Sequence, residues 1–334
     1  MRGAEPCTSY DRGVPILNAQ SQRKRTGILL AFICVYFFWG STYLAMRYGL
    51  ESLPPFVIAS TRFLISGAAL LVICAIRRER MLPTLRELGI MALIGVLMLG
   101  CGNTAVLWSE QYLSTGLSAL LVATIPLYAA LIEMFLPNGE GLPARGWIGV
   151  VIGFVGLAFL VSPGFRNSLH GDSRQIVATA VILAGTFCWT AGSVISRRST
   201  IRISGFAAAG WQMFLGGIFN AGLMFATGGY RGSHWNLQAW SSVLYLVVFG
   251  SLTGYTAYIY LLNNVAVSKV TTYAYINPVI AIILGVIFLR EHFVLVEYIG
   301  MASILLAVFL VTTSKLTTGA PAAEATDIAV GRKA

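Results

Sequence analysis

The chain has 334 residues, of which 57% are apolar and 11% are charged, and its formal net charge is +10. Charged residues make up about a quarter of an ordinary soluble domain. The composition therefore excludes a soluble globular protein and predicts an all-α polytopic membrane protein in contact with the lipid bilayer. The basic residues form no stripe typical of nucleic-acid binding. The five Cys and three His residues are scattered, which predicts no disulfide framework, metal site or cofactor.

Ten apolar runs have the length of about 17–25 residues that a helix needs to cross a bilayer. The segments before and after them, 1–26 and 314–334, are polar or rich in small residues and are predicted to be disordered cytoplasmic tails. The ten predicted spans are 27–46, 55–76, 88–109, 113–136, 145–161, 175–196, 204–226, 239–262, 267–289 and 293–313.

Lys and Arg residues concentrate on one side of these spans, which places that side and both termini in the cytoplasm. The richer side contains the N-terminal tail, the loops around 77–86 and 197–202, and Arg145, Lys269 and Lys315. The poorer side has only Arg47, Arg166, Arg174, Arg231 and Arg290.

The two halves of the chain repeat each other. A shift of 150 residues superposes Trp39 on Trp189 and Arg62 on Gln212, and a shift of 152 superposes Pro126 on Pro278. Each half, 27–165 and 174–313, contains five predicted spans, an odd number, so the second half must be inverted in the membrane. Inverted repeats are typical of transporters that work by alternating access. The other explanation is chance matching of short apolar stretches.

The fourth and ninth spans each present a face of helically spaced residues around a central proline. Ala123 and Pro126 lie on the first face, and Tyr275 and Pro278 lie on the second. A proline removes a backbone hydrogen bond and kinks a helix, so we expect Pro126 and Pro278 to flank a central cavity. The alternative is that they are packing kinks only.

Arg62 lies inside the second apolar run, where an uncompensated cation is costly. Its predicted partner is Glu110 or Glu51, and its predicted role is to attract an anionic group of a substrate, such as a carboxylate. The alternative is a structural ion pair.

Two acids are candidates for proton coupling. Glu133 lies on the small-residue face of the fourth span, and Glu110 lies at the end of the third. A buried acid carries a proton if burial disfavours its charged form. Pairing of Glu133 with Arg77 or Arg78 near the cytoplasm is the plainer explanation for that residue.

Aromatic and polar side chains at intermediate depth predict a pocket for a small amphipathic solute such as an amino acid. No nucleophile elbow or metal-ligand pair occurs, so we expect no enzyme activity. The glycines Gly149, Gly153 and Gly156 form a helix-packing face. The pocket candidates are Trp39, Tyr43, Asn103, Trp189, Gln212, Tyr255 and Tyr258.

Several of these segments together resemble the EamA-like family of the drug/metabolite transporter superfamily. They are Trp39 to Tyr43, Thr61 to Phe63, Gly102 to Glu110, Val122 to Pro126, and Thr272 to Pro278 with Glu291 beyond it. The last of them contains Asn277. The resemblance implies a ten-helix inverted-repeat permease of the bacterial inner membrane, with a pathway lined by the first, third, fourth, sixth, eighth and ninth helices.

The sequence thus predicts a secondary transporter that exports or exchanges small organic metabolites such as amino acids. A receptor or scaffold that kept a permease fold is the first alternative, and a membrane-embedded enzyme is a weaker one. The predicted partners are a small-molecule substrate and the lipid bilayer, with no nucleic acid. The sequence leaves the oligomeric state open.

Overall fold

A computed structural model describes residues 14–136, 143–169 and 173–318, and the regular structure within these ranges is helical throughout. Six helices are long and apolar enough to cross a membrane, and shorter apolar helices lie between and after them. In chain order the helices are α1 Val14–Leu50, α2 Pro55–Ile76, α3 Leu85–Ser109, α4 Thr115–Met134, α5 Ala144–Leu169, α6 Arg174–Arg198, α7 Gly205–Ala226, α8 Leu237–Asn264, α9 (Val267–Val270 and Tyr273–Leu289) and α10 Leu295–Thr318.

The first and last helices extend into the segments predicted to be disordered tails. Helix α1 begins at Val14, and residues 14–26 contain no glycine and no proline besides Pro15, so nothing in their sequence interrupts the helix. A proline in the first turn does not interrupt a helix. Helix α10 likewise continues to Thr318. The remaining tail residues, 1–13 and 319–334, lie outside the described residues.

Polar side chains fix where several helices begin. Thr84 forms a capping box with Glu87 at the start of α3, and Asn236 accepts a hydrogen bond from the Ala239 amide at the start of α8. Such caps satisfy amide groups that have no partner within the helix. Thr84 and Asn236 are 152 residues apart, so the repeat includes this cap.

Contacts between connecting segments define two ends of the molecule. The His234 amide donates to the Ser52 carbonyl (2.9 Å), so the segment before α8 lies beside the end of α1. We call this the Glu110 end, since α3 also finishes there. At the other end, the Arg198 end, the Ser204 amide donates to the Arg80 carbonyl (2.9 Å).

Helix α2 packs along α7, and α5 packs along α10. A Cβ atom at Gly67 would lie 2.7 Å from Phe214 Cα, and one at Gly217 would lie 2.7 Å from the Leu64 amide nitrogen. The two glycines are 150 residues apart and are equivalent in the repeat. The predicted glycine face of α5 is confirmed, since a Cβ at Gly149 would lie 2.9 Å from the Ala307 carbonyl oxygen. Small residues let membrane helices approach this closely.

The third helix of each half contains a π-helical segment, which the sequence did not predict. The segments are Val96–Asn103 in α3 and Leu246–Tyr255 in α8. They begin 150 and end 152 residues apart, which are the offsets of the repeat. Hydroxyl groups donate to carbonyls inside them, Thr104 to Leu99 (3.1 Å) and Thr253 to Val248 (2.9 Å). Insertions of this kind frequently occur at functional sites.

Helices α4 and α9 are interrupted, but at different positions relative to their prolines. Helix α4 breaks at Ala123 and Thr124, just before Pro126. Helix α9 breaks at Thr271 and Thr272, so Pro278 lies within the longer second segment.

We expect Gly67→Ala to destabilise the protein, because its new methyl group would collide with the backbone of α7. Overpacking typically costs about 1–3 kcal/mol, so the apparent melting temperature in detergent should fall by several degrees. Gly89→Ala is the matched control, since a Cβ atom there meets nothing within 4 Å. Equal melting temperatures for the two variants would contradict the close α2–α7 contact.

Candidate functional site

A cavity lies at the centre of the helix bundle. The space within it is about 60 Å³, several times the roughly 10–15 Å³ that one ordered water requires. Its walls come from α1, α2, α3, α4, α6, α8 and α9 and consist mostly of aromatic and polar side chains. The principal lining residues are Trp39, Thr42, Tyr43, Met46, Arg62, Phe63, Asn103, Val106, Ile125, Trp189, Gly250, Tyr255, Tyr273 and Asn277.

Two equivalent tryptophans meet in the wall of this cavity. The rings of Trp39 and Trp189 pack edge to face with centroids 5.4 Å apart. Trp39 Nε1 donates to the Gly250 carbonyl (3.0 Å) in the π-helical segment of α8. The Trp189 Nε1 atom is buried and makes no hydrogen bond of normal geometry to another described residue. The repeat therefore brings the same side chain to the centre twice.

Arg62 is buried, with 4% of its surface exposed, and its guanidinium lines the cavity. Its Nε donates to Ser251 Oγ (2.8 Å), and its Nη1 donates to Asn103 Oδ1 (3.3 Å). A Cβ atom at Gly250 would lie 2.6 Å from Arg62 Nη2. The glycine thus provides the space that the guanidinium occupies against α8.

Neither hydrogen bond of Arg62 goes to a carboxylate, and the predicted partners Glu110 and Glu51 are not among its acceptors. Glu51 instead accepts a hydrogen bond from Gln238 (2.6 Å) at the protein surface. A guanidinium has five N–H donors, and these two contacts occupy two of them. Within the described part of the chain, Arg62 is therefore a buried cation whose hydrogen-bonding capacity is mostly unused.

Glu110 is completely buried at the end of α3, and neither oxygen of its carboxyl group has a hydrogen-bond partner among the described residues. Arg47 donates to the Glu110 backbone carbonyl instead. Nearby, Glu291 caps the start of α4 by accepting from the Thr115 amide (2.7 Å). This cap joins the two halves at the Glu110 end. Glu133, the other candidate acid, is half-exposed and does not line the cavity.

Two hydrogen bonds lie behind the wall on the second half. The Tyr255 hydroxyl donates to Gln212 Oε1 (2.7 Å), and the Tyr258 hydroxyl donates to Ser193 Oγ (2.9 Å). All four residues are buried. Of these, only Tyr255 lines the cavity.

The predicted site residues divide into two groups. Those that line the cavity are Trp39, Tyr43, Arg62, Asn103, Trp189, Tyr255 and Asn277. Gln212 and Tyr258 do not line the cavity but contact residues that do, Tyr255 and Trp39 respectively. Ala123, Pro126 and Pro278 are not in the lining, whereas Ile125 and Asn277, which precede the two prolines, are. The Tyr275 side chain lies outside the part of the chain that the structure describes.

Sequence reasoning missed Tyr273, Thr42 and Ser251. Tyr273 lies one helical turn before Asn277, and this spacing would have favoured it over Tyr275. Thr42 lies three residues after Trp39, and this spacing places the two side chains on one face of α1. Ser251 carried no local signal, because it reaches Arg62 across 189 residues of sequence.

Comparison with known proteins agrees with this architecture. The sequence profile described as the EamA-like transporter family matches residues 25–162 and 177–313, so it matches the chain twice. The chain is 35% identical over 288 residues to an uncharacterised inner membrane transporter of Escherichia coli K12, YedA, and the match covers 85% of this chain and 90% of the relative. It is 27% identical over 299 residues to an uncharacterised transporter of Bacillus subtilis, YvbV, with 88% and 93% coverage.

A solved structure superposes with a TM-score of 0.64 at 18% identity, covering 88% of this chain and 99% of its own. This likeness concerns the fold alone. Together with the two profile matches, which cover most of the chain, these relatives show that the chain belongs to the EamA-like transporter family.

Proposed function

We propose that this protein is a secondary transporter that exports or exchanges small organic metabolites carrying a carboxylate, such as amino acids, by alternating access. The observation that carries the proposal is Arg62, a cation buried in a central cavity without a carboxylate among its hydrogen-bond partners.

The proposed membrane arrangement is ten crossings in two inverted halves. Two profile matches of similar length support two repeats. The contact between Ser52 and His234 supports their inversion, because α3 finishes at the end of the molecule where its equivalent, α8, begins. Inverted halves allow the same site to face either side of the membrane in turn.

The proposed location is the bacterial inner membrane, with both termini in the cytoplasm. The name of the Escherichia coli relative supports this membrane. The orientation rests on the excess of positive charge at the Arg198 end. Eleven basic side chains that the structure describes lie there, against four near the Glu110 end, Arg47, Arg174, Arg231 and Arg290; the eleven are Lys24, Arg25, Arg77, Arg78, Arg80, Arg86, Arg145, Arg197, Arg198, Arg202 and Lys269.

The chemistry of the cavity favours a zwitterion. The free N–H groups of Arg62 can hold a carboxylate in a bidentate pair. The unpaired Asn277 Oδ1 can accept from an ammonium group, and the faces of Trp39 and Trp189 can stabilise the same cation. Both tryptophan rings line the cavity together with Asn277. A site built from these groups binds both charged ends of an amino acid.

Proton coupling, if the transporter uses it, is proposed to depend on Glu110 and not on Glu133. A buried carboxyl group without a hydrogen-bond partner is favoured in its neutral form. Glu110 lies one helical turn beyond Val106, which lines the cavity, so opening of the Glu110 end would admit water to the acid and allow it to ionise.

Arg62→Ala is expected to weaken binding of amino acids by about tenfold or more, since hydrogen bonds to charged groups are worth about 1.5–3 kcal/mol. Arg62→Lys should recover only part of the affinity, because an ammonium group cannot form the bidentate pair. Ligand-induced thermal stabilisation of purified protein measures the effect, with uptake by proteoliposomes as the second readout. Arg86→Ala, at an exposed position, is the control.

The ligand series makes this test specific. Each amino acid is compared with its amide, which lacks the carboxylate. The wild-type protein should prefer the acid, and Arg62→Ala should abolish the preference. Equal binding of acid and amide by the wild type would contradict the role of Arg62, and binding without any solute flux would favour a receptor.

Glu110→Gln is expected to remove any dependence of transport on a pH gradient, because the amide cannot exchange a proton. Flux in proteoliposomes with and without an imposed gradient measures this. Glu133→Gln should keep the wild-type dependence and is the matched control. Persistence of the gradient effect in Glu110→Gln, or its loss in Glu133→Gln, would refute the assignment.

A further inference from the structure

We infer that the hydrogen bonds Tyr255–Gln212 and Tyr258–Ser193 form a gate that closes the cavity toward the Arg198 end. We infer further that this gate alternates with the Arg62–Asn103 contact on the other side. The inference rests on the proposed transport function and names the residues that move during transport.

The first argument is the equivalence of the two contacts. Gln212 follows Arg62 by 150 residues, and Tyr255 follows Asn103 by 152, which are the offsets of the repeat. Each contact joins the second helix of a half to the π-helical segment of its third helix. The same contact therefore exists twice, once in each half.

The two copies differ in distance and in surroundings. The Arg62–Asn103 bond is long, at 3.3 Å, and both residues line open space. The Tyr255–Gln212 bond is short, at 2.7 Å, and both residues are at most 1% exposed. One copy is loose beside the cavity, and the other is tight behind its wall.

The position of the cavity supplies the second argument. Its lining in the first half lies in the parts of α1, α2 and α3 nearer the Glu110 end, at residues 39–46, 62–63 and 99–106. The equivalent positions in the second half include Ser193, Met213, Tyr255 and Tyr258, which are buried. Positions that line the cavity in the first half thus correspond to packed side chains in the second half.

The packed side chains are suited to opening. Tyr255 and Tyr258 bond to Gln212 and Ser193 through neutral groups, with no ion pair between them. A neutral hydrogen bond shifts an equilibrium by roughly fivefold, and breaking it is offset when water replaces the partner. Two such bonds stabilise the closed state only modestly, so a solute that binds the open state more tightly can shift the equilibrium toward opening.

Tyr255 connects this gate to the binding site. Its ring lines the cavity, while its hydroxyl bonds to Gln212 on the far side. The edge of Trp189 packs against this ring with centroids 6.3 Å apart. A solute that displaces the ring would therefore loosen the hydrogen bond that closes the Arg198 end.

The test measures accessibility and needs no substrate. In a full-length background with all five native cysteines replaced by alanine, Ser196→Cys places one thiol a helical turn beyond Ser193 toward the Arg198 end. Met46→Cys places another at the equivalent position of the first half. Labelling by a membrane-impermeant maleimide is then timed in inside-out vesicles for Ser196→Cys and in spheroplasts for Met46→Cys.

Tyr255→Phe and Tyr258→Phe each remove only a hydroxyl group. We expect each to increase labelling at position 196 about fivefold and to decrease labelling at position 46. Tyr260→Phe is the matched control, since Tyr260 lies on the same helix outside the cavity lining, and it should change neither rate.

Unchanged labelling in variants that melt at the wild-type temperature would overturn the gate and would mean that both hydrogen bonds are static packing. The outcome is separable from the proposed function. Altered labelling without flux of any amino acid would refute transport and keep the gate, whereas flux with unaltered labelling would refute the gate alone.

Discussion

A cation inside a membrane-spanning helix needs polar groups around it, and this requirement organises the centre of the protein. The guanidinium of Arg62 obtains one acceptor from α3 and one from α8. Gly250 lies against it, and the missing side chain of that glycine leaves room for Nη2. The cavity lies beside this guanidinium, between the helices that supply its two acceptors.

The π-helical segments supply most of the residues with which α3 lines the cavity and both of those from α8. A π-helix is wider than an α-helix and misaligns carbonyl groups, and each of the two segments uses a threonine hydroxyl to satisfy one of them. A carbonyl in the second segment also accepts from Trp39. Irregular backbone in a membrane is tolerated where protein or water covers it, and here side chains from the opposite half cover it. The irregular backbone therefore lies at the site itself, where protein covers it.

The sequence was sufficient to predict features that depend on composition and on the internal repeat. Arg62 stands out in an apolar run, and the offset of 150 to 152 residues reveals the repeat without any structure. It was insufficient where tertiary contacts decide. Val96–Asn103 has the composition of an ordinary apolar helix, so its π-helical hydrogen bonding was invisible. The choice of Ser251 over Glu110 as partner of Arg62 depends on the depth at which two distant helices cross, which no local pattern encodes.

The places where the two halves differ are more informative than those where they agree. Trp39 and Trp189 agree because both pack at the same pseudo-symmetric contact, and Gly67 and Gly217 agree because neither position can hold a Cβ atom. These identities maintain the fold. The repeat changes at Arg62 and Gln212, at Asn103 and Tyr255, and at Ile125 and Asn277, and at least one member of each pair lines the cavity. Their divergence gives the cavity one charged side and one neutral side, which a site must have if it is to bind an unsymmetrical solute in one orientation.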